Sequence, residues 1–592
     1  MADCEKYTAV TLGPIYDTFN LTSTPGGTWC ASYIFSWLAK EMITQMRQNG
    51  NIEQKCFIAP VFDEKDGKIF IPGGQEVAAR GVGLFFDHII VKGNCMKEAK
   101  AARSAAINQL AGMIAAAIGG KSTAEDVEKW LIKYLRIYIV VKDVPKGEGV
   151  IAAFGDTLAA LEYEPHYCPV DSGNPLLTLF EGDTPDNANQ YLKKFKLVKS
   201  LESLQSSQGI GWMLYSADEK KQIRDIESIA DPSGKENKNW KTEEYYCILN
   251  SDGDSMGKLF KSCATDEEAK NLSKKSFQYC VQSAEMILEY GGVPLYAGGD
   301  DLLAILPVMG KEPDNKENEI SVFALVNLLN AAFNKAFANE RKANPGKPSL
   351  SVGLSIQHIK SPLYEALNRA FSLLHEAKNS SGSKNGLCVD LQKHSGQSFQ
   401  YTVRVISDNA DLLKKLEEMI ADARTAKKTA LTAKKSTSAS SSTSGDDDNL
   451  NIFLSSAGFV METYYALFLS AINQYIAHGC TGAYIANFFR NMFDNDAQEK
   501  YKTYLNGLRD YCELSVQKDY QLIKKTIETE TDRFIHEAIL SEITNDAGKP
   551  AETTIISKET GKMTADIVCH IADRCADAVR ILRFMTEAPG KE

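Results

Sequence analysis

Two short apolar runs, Val293–Ala297 and Leu302–Val308, are separated only by Gly298-Gly299-Asp300-Asp301. No other stretch of the chain restricts its fold so tightly. Two β-type runs joined by glycines and aspartates predict a β-hairpin with an acidic tip. The glycines permit a tight turn and the close approach of a ligand. Adjacent carboxylates repel each other unless a cation sits between them, and hard divalent cations take carboxylate oxygens. The tip is therefore a candidate Mg²⁺ or Mn²⁺ site; judged alone, it is equally a solvated turn.

The surrounding order decides between these readings. Strand Tyr245–Asn250 ends in Ser251-Asp252-Gly253-Asp254-Ser255-Met256-Gly257. A helix over Glu267–Tyr290, the acidic hairpin, a helix over Ile320–Arg341 and a strand over Leu350–His358 follow. This is a β-α-β-β-α-β unit. In such a split sheet the first and third strands are antiparallel neighbours. The end of the first strand then meets the hairpin, which places Asp252 and Asp254 beside Asp300 and Asp301. Ser361-Pro362 is a good helix start, and Leu363, Ala366, Leu367, Ala370, Leu373 and Leu374 line one face of the helix it opens. Leu387–Leu391 and Phe399–Val405 read as strands.

The same order is looser at the N-terminus and carries no acidic turn. It runs through strand Tyr7–Leu12, helix Trp29–Met46, strand Phe85–Val91, helices Lys97–Ile118 and Glu125–Leu135, and strand Ile137–Val141. Residues 145 to 240 read as irregular, with several Gly, Pro and Asp. Residues 424–449 turn to Lys, Thr and Ser and end in Asp446-Asp447-Asp448, which predicts a disordered loop or linker. Beyond it lie helical patterns with few breakers. The fold class expected is α+β. Two ferredoxin-like domains lie over 1–145 and 241–405, an intervening α/β connecting region over 146–240, and a helical C-terminal domain over 406–592.

At 592 residues the chain is too long for one core. Its net charge of −11 argues against unaided grip on nucleic acid, for which basic partners would be needed. No long uncharged apolar run suggests a membrane helix, and Met1 to Lys6 lacks a signal-peptide layout, so a cytoplasmic protein is expected. The 13 cysteines include no Cys-x-x-Cys pair and read as reduced thiols. Cys569, His570 and Cys575 are the nearest approach to a metal cluster, at poor ligand spacing.

Carboxylates on one sheet edge can hold two Mg²⁺ ions, one activating an attacking hydroxyl and the other stabilising a leaving pyrophosphate. Attack at an α-phosphate needs positioning and charge neutralisation rather than covalent help. A triphosphate also needs protein cations. Lys378 in His375-Glu376-Ala377-Lys378 and Lys384 in Gly382-Ser383-Lys384-Asn385-Gly386 are the candidates, although either lysine judged alone is more often a surface residue.

Asp252-Gly253-Asp254-Ser255-Met256-Gly257, Gly298-Gly299-Asp300-Asp301, Lys360-Ser361-Pro362-Leu363-Tyr364-Glu365-Ala366-Leu367 and His375-Glu376-Ala377-Lys378 together resemble the second palm domain of the large signalling subunit of type III CRISPR complexes, most closely the Cmr-type version. That palm is in turn similar to diguanylate cyclases and nucleic-acid polymerases. Leu12-Gly13-Pro14-Ile15 with Trp29-Cys30-Ala31-Ser32-Tyr33 resembles the subunit's first, motif-free palm, and Arg224 to Ala230 the segment before the second. The resemblance spans most of residues 5 to 405; the helical tail fits by position only.

The resemblance implies a complex that carries guide RNA, binds target RNA and then converts ATP into a nucleotide second messenger. That product is cyclic oligoadenylate or, in some members, AMP joined to an acceptor such as S-adenosylmethionine. It implies Asp252 and Asp300 as metal ligands with Asp254 and Asp301 in support, and catalysis by Asp252, Asp300 and Asp301. Nucleotide contacts are expected from Gly253, Asp254, Ser255, Gly298, Gly299, Lys378 and Lys384, of which Lys378 matches a phosphate-contacting position of the cyclase palms. Two departures stand out. The sequence contains no His-Asp dipeptide, since Asp87-His88 runs the other way within a strand, so DNA cleavage is not expected. Cys168 stands alone between residues 150 and 230, so the family's zinc site is doubtful. The competing expectations are a non-enzymatic scaffold subunit and a stand-alone cyclase using GTP; the intact aspartates speak against the first, and the two-palm layout with a helical tail against the second.

Overall fold

The computed structural model describes residues 4–72, 82–119, 121–162, 173–180, 225–231, 240–343, 348–379 and 384–403, with isolated positions among 164, 197, 414–425 and 581–585. The loop expected at 424–449, nearly all of the expected helical domain, Cys168 and the Cys569-His570-Cys575 cluster lie outside the described residues.

The first sheet contains β1 (Cys4–Gly13), β2 (Phe57–Ala59), β5 (His88–Lys92) and β6 (Arg136–Pro145); β3 (Asp63–Lys65) and β4 (Lys68–Phe70) form a separate small hairpin. Its order is β2-β5-β1-β6 with every pair antiparallel. This is the strand order of a β-α-β-β-α-β sheet. Alternation along β1 gives each face a different core. Val10 and Leu12 pack with the helices Pro25–Gln48 and Met96–Ala117, while Tyr7 and Ala9 join Ile58, Ile90 and Val144 on the opposite face.

That second face corrects one expectation. Residues 145–240, read as irregular, contain a 13-residue helix, Val150–Glu162, whose Val150, Phe154 and Leu158 close the opposite core. Their i, i+4, i+8 spacing was a legible signal.

The second sheet is built from β7 (Tyr245–Asp254), β8 (Val293–Gly298), β9 (Asp301–Pro307), β12 (Ser349–His358), β13 (Leu387–Gln392) and β14 (Ser398–Val403). Its order is β14-β13-β12-β7-β9-β8, with only β12 and β13 parallel. The helix Asp266–Tyr290 starts on a Thr265/Glu268 capping box and stops at Gly291, whose φ of 103° only glycine adopts readily. A further correction concerns Ile320–Arg341, expected as one helix. There, β10 (Met309–Glu312) and β11 (Asn315–Ser321) form a hairpin, and the helix starts at Val322 behind the Ser321 cap and ends at Ala336. The turn residue Asp314, at φ 69°, and the cap together override the apolar spacing.

Candidate nucleotide and metal site

The register of the second sheet sets the site. Ser251 on β7 faces Leu302 on β9, and Gly298 on β8 faces Asp301, so the end of β7 arrives beside the hairpin tip. Gly299 turns the hairpin at φ 71°. Asp252, Asp300 and Asp301 each offer an oxygen, and these oxygens lie within 4.8 Å of one another. Burial raises the pKa of Asp300 well above the ordinary carboxylate range; Gly253's backbone N–H opposes this, and Asp254 and Asp87 add to it. Asp301 is raised by burial and then by Asp300 and Asp87. Carboxylates crowded in this way are poised for a cation.

Asp254 is placed differently. Its Oδ2 accepts from Ser349 Oγ at 2.7 Å, Ser351 Oγ at 2.8 Å and the Asn385 N–H at 2.6 Å. It ties β7 to β12 and to the chain entering β13, and lies outside the group formed by the other three aspartates. Its Oδ1 is buried without a hydrogen-bond partner. Both serines sit opposite the acidic turn in the β7–β12 register, with Ser349 facing Asp254 and Ser351 facing Asp252.

Ser255 follows in the left-handed region at φ 62° and heads the short helix Met256–Lys261. Gly253 packs against Asp300, and Gly298 ends β8. Lys378, in the last turn of the helix Leu363–Asn379, pairs with Asp252 Oδ2. Burial and the nearby Lys384 bring its pKa down to about 8. Lys384 itself is exposed, next to the Asn385 that bonds Asp254. Of the residues singled out by sequence, Asp252, Asp300, Asp301, Gly253 and Lys378 converge, and Lys384 stands beside them.

The sequence reading missed the opposite wall. A cavity of about 610 Å³ lies between the hairpin and the first sheet, bordered by Asp300, Asp301, Tyr16, Phe371 and the helix Val150–Glu162. Tyr16 meets Phe371 edge-on with ring centroids 4.9 Å apart. Asp87, His88 and Glu162 line the same cavity and offer ligand atoms within 4.8 Å of one another. His88 Nε2 and Glu162 Oε1 are 2.6 Å apart, and Thr11 Oγ donates to the same oxygen at 2.9 Å. Asp87-His88 was visible as a dipeptide; its approach to Glu162 depends on a helix the sequence reading did not place.

Residues 245–388 match the family model described as Cas10/Cmr2, second palm domain. The chain is 33% identical over 206 residues to the CRISPR system Cmr subunit Cmr2 of Pyrococcus furiosus, a match covering 30% of this chain and 22% of that protein. It is 38% identical over 102 residues to the CRISPR system CMR subunit Cmr2 of Saccharolobus solfataricus, covering 16% of this chain and 10% of the relative. Thus the chain's match takes in less than a quarter of either curated relative. A solved Csm1–Csm4 cassette in complex with one ATP overlaps 65% of this chain and 54% of that one, at 12% identity and a TM-score of 0.38.

Proposed function

We propose that this chain, whose residues 245–388 carry a Cas10/Cmr2 second palm domain, acts as the nucleotidyltransferase subunit of a Cmr-type type III CRISPR complex. Guide RNA and the other subunits assemble with it, target RNA switches it on, and ATP is its substrate. The observation that carries the reading is the convergence of Asp252, Asp300 and Asp301, from two segments far apart in sequence, beside Lys378.

The donor set fits Mg²⁺ or Mn²⁺. It is all carboxylate oxygen, crowded and half-buried, with a further carboxylate oxygen of Asp254 left without a partner. Held by Asp252, Asp300 and Asp301, divalent ions would neutralise charge at the α-phosphate and acidify the attacking hydroxyl. The rest is the work of this chain's own groups. Gly253 and Gly299 let the two acidic segments and a phosphate approach closely. Asp254 holds the β7 turn against Ser349, Ser351 and Asn385. Lys378 leaves Asp252 for the triphosphate, with Lys384 adding positive charge at the rim. The cavity under Tyr16 and Phe371 takes the acceptor and limits its contact with water.

The product under this reading is cyclic oligoadenylate, or AMP joined to an acceptor such as S-adenosylmethionine. The first sheet is a palm without the acidic motif, and the segment 146–240 connects the two palms. DNA cleavage is not part of the activity, and the protein works in the cytoplasm.

The test is mass spectrometry of the products of the assembled complex given ATP and Mg²⁺, with and without target RNA and S-adenosylmethionine. A new adenylate product that requires target RNA is expected. Turnover that survives Asp300→Ala combined with Asp301→Ala refutes the assignment.

A further inference from the structure

A second lysine stands in the wall of the cavity that Asp300 and Asp301 border. Lys261 ends the helix Met256–Lys261, which begins directly after the Asp252–Ser255 turn. It lines the 610 Å³ cavity and is the only Lys or Arg among the described residues that do. Asp87, Asp156, Glu162, Asp300 and Asp301 line it too. An anion enters so acidic a cavity only where a cation meets it, and the other cation on the wall, His88, is already held by Asp87 and Glu162.

Lys261 is held in a way that leaves it exchangeable. Its Nζ lies 2.7 Å from Asp156 Oδ1, with the aspartate 93% and the lysine 44% exposed. An ion pair so open to water contributes little to stability and is readily replaced. Its stem passes over Gly155, where a β-carbon would lie 2.7 Å from Lys261 Cε and 3.3 Å from Nζ. Each of the two lysines thus rests on a carboxylate: Lys378 on Asp252 and Lys261 on Asp156.

We propose that Lys261 is a phosphate-binding residue of this site, and that Asp156 is its resting counter-ion, displaced when a phosphate arrives. This rests on the nucleotidyl-transfer reading and adds a second anion position, on the first-sheet side of the hairpin. The oxyanion belongs either to the tail of the nucleotide held at the aspartates or to a second phosphorylated molecule in the cavity. No bond is made or broken in the exchange.

Calorimetry with the full-length chain, Mg²⁺ and a non-hydrolysable ATP analogue tests it. Lys261→Gln should weaken binding about tenfold, as expected for loss of one charge-assisted hydrogen bond, and Lys261→Arg should restore most of it. Asp156→Asn should tighten binding by roughly threefold, because the lysine no longer has to be released. The opposite signs are decisive, since an ion pair that only props the two helices together moves both variants the same way. Thermal melting confirms that each variant is folded. A drop of one bound analogue per chain in Lys261→Gln identifies a second molecule as the source of the phosphate; an unchanged count with weaker affinity identifies the same nucleotide. Equal effects of Lys261→Gln and Asp156→Asn, or none, overturn this inference and leave the nucleotidyl-transfer reading standing. A wild-type chain that binds no analogue with Mg²⁺ overturns both.

Discussion

A β-carbon on Gly253 would lie 2.6 Å from Asp300 Oδ2 and 2.7 Å from Asp300 Cβ. The two residues come from different acidic segments, and the bare glycine backbone is what lets those segments close on each other. Because the nearest obstacle includes the Asp300 β-carbon, a methyl group at 253 cannot be absorbed by swinging a flexible tip aside.

Gly253→Ala should therefore damage the site more than the fold. Overpacking of this kind destabilises by about 1–3 kcal/mol. Displacing Asp300 from the aspartate group should reduce ATP turnover by about a hundredfold, in line with the loss from a roughly 1 Å misplacement. Thermal unfolding and an ATP assay on the assembled complex measure the two effects side by side. An alanine variant with wild-type turnover would show that this close approach is dispensable.

The aspartates should also separate by the sign of their effect on stability. Burial and Asp300 disfavour the ionised form of Asp301, so Asp301→Asn should raise the melting temperature of the metal-free chain while removing the rise that Mg²⁺ produces. Asp254→Ala should lower the melting temperature of the metal-free chain, even though burial raises that carboxyl's pKa as well. It strips the acceptor from Ser349, Ser351 and the Asn385 N–H, a loss of about 2–3 kcal/mol for buried bonds to a charged group. Melting curves with and without Mg²⁺ decide the matter; if both variants shift the metal-free chain in the same direction, the division of roles is wrong.

What could be read in advance follows from how local each signal was. The hairpin at Gly298–Asp301 and the turn after β7 announced themselves through short-range chemistry, and the split-sheet rule then brought Asp252 to Asp300 without coordinates. The same rule brought Asp254 to that edge, but it fixes which strand ends meet and not how each carboxylate is bonded. Ser349 and Ser351, on a neighbouring strand, claim its Oδ2, while its Oδ1 stays without a hydrogen-bond partner. The first-sheet wall was harder. Asp87 and His88 gain meaning only beside Glu162, which comes from a helix hidden in a stretch rich in Gly and Asp. Lys261 has no motif of its own, and only the fold brings its stem over Gly155.

Arg424 fastens C-terminal chain to the start of β7. Its guanidinium carbon is 4.0 Å from the centroid of the Trp240 ring, and it donates to the Met585 backbone oxygen at 3.1 Å and to Thr242 Oγ at 3.3 Å. Phe584 meets Tyr245 edge-on nearby, with centroids 4.7 Å apart. Arg424→Ala should lower stability by about 2–4 kcal/mol through the lost buried bonds and ring contact. It should also speed proteolytic cleavage near Phe584. Denaturant unfolding and limited proteolysis read these out, and a variant as stable and as resistant as wild type would remove Arg424 as the anchor.

His88 should give the cavity wall a pH dependence of known sign. Burial alone would lower its pKa, but Asp87 and the bond to Glu162 outweigh burial and raise it from 6.5 to about 9. A histidine whose pKa is higher in the folded state contributes stability that is fully present below its unfolded value and is lost as pH rises through the folded one. The advantage of wild type over His88→Gln should therefore be greatest at and below about pH 6.5 and fade by about pH 9. The side chain is 40% exposed, so screening keeps the effect small, and it is best followed as a difference in melting temperature across the range. Glu162→Gln should flatten the same slope, since it removes the partner that holds the proton. A wild-type advantage that stays constant or grows with pH would mean that His88 is neutral in the folded chain. The link it makes between β5 and the helix Val150–Glu162 would then be an uncharged hydrogen bond, and the cavity wall would carry one more net negative charge at neutral pH than the structure implies.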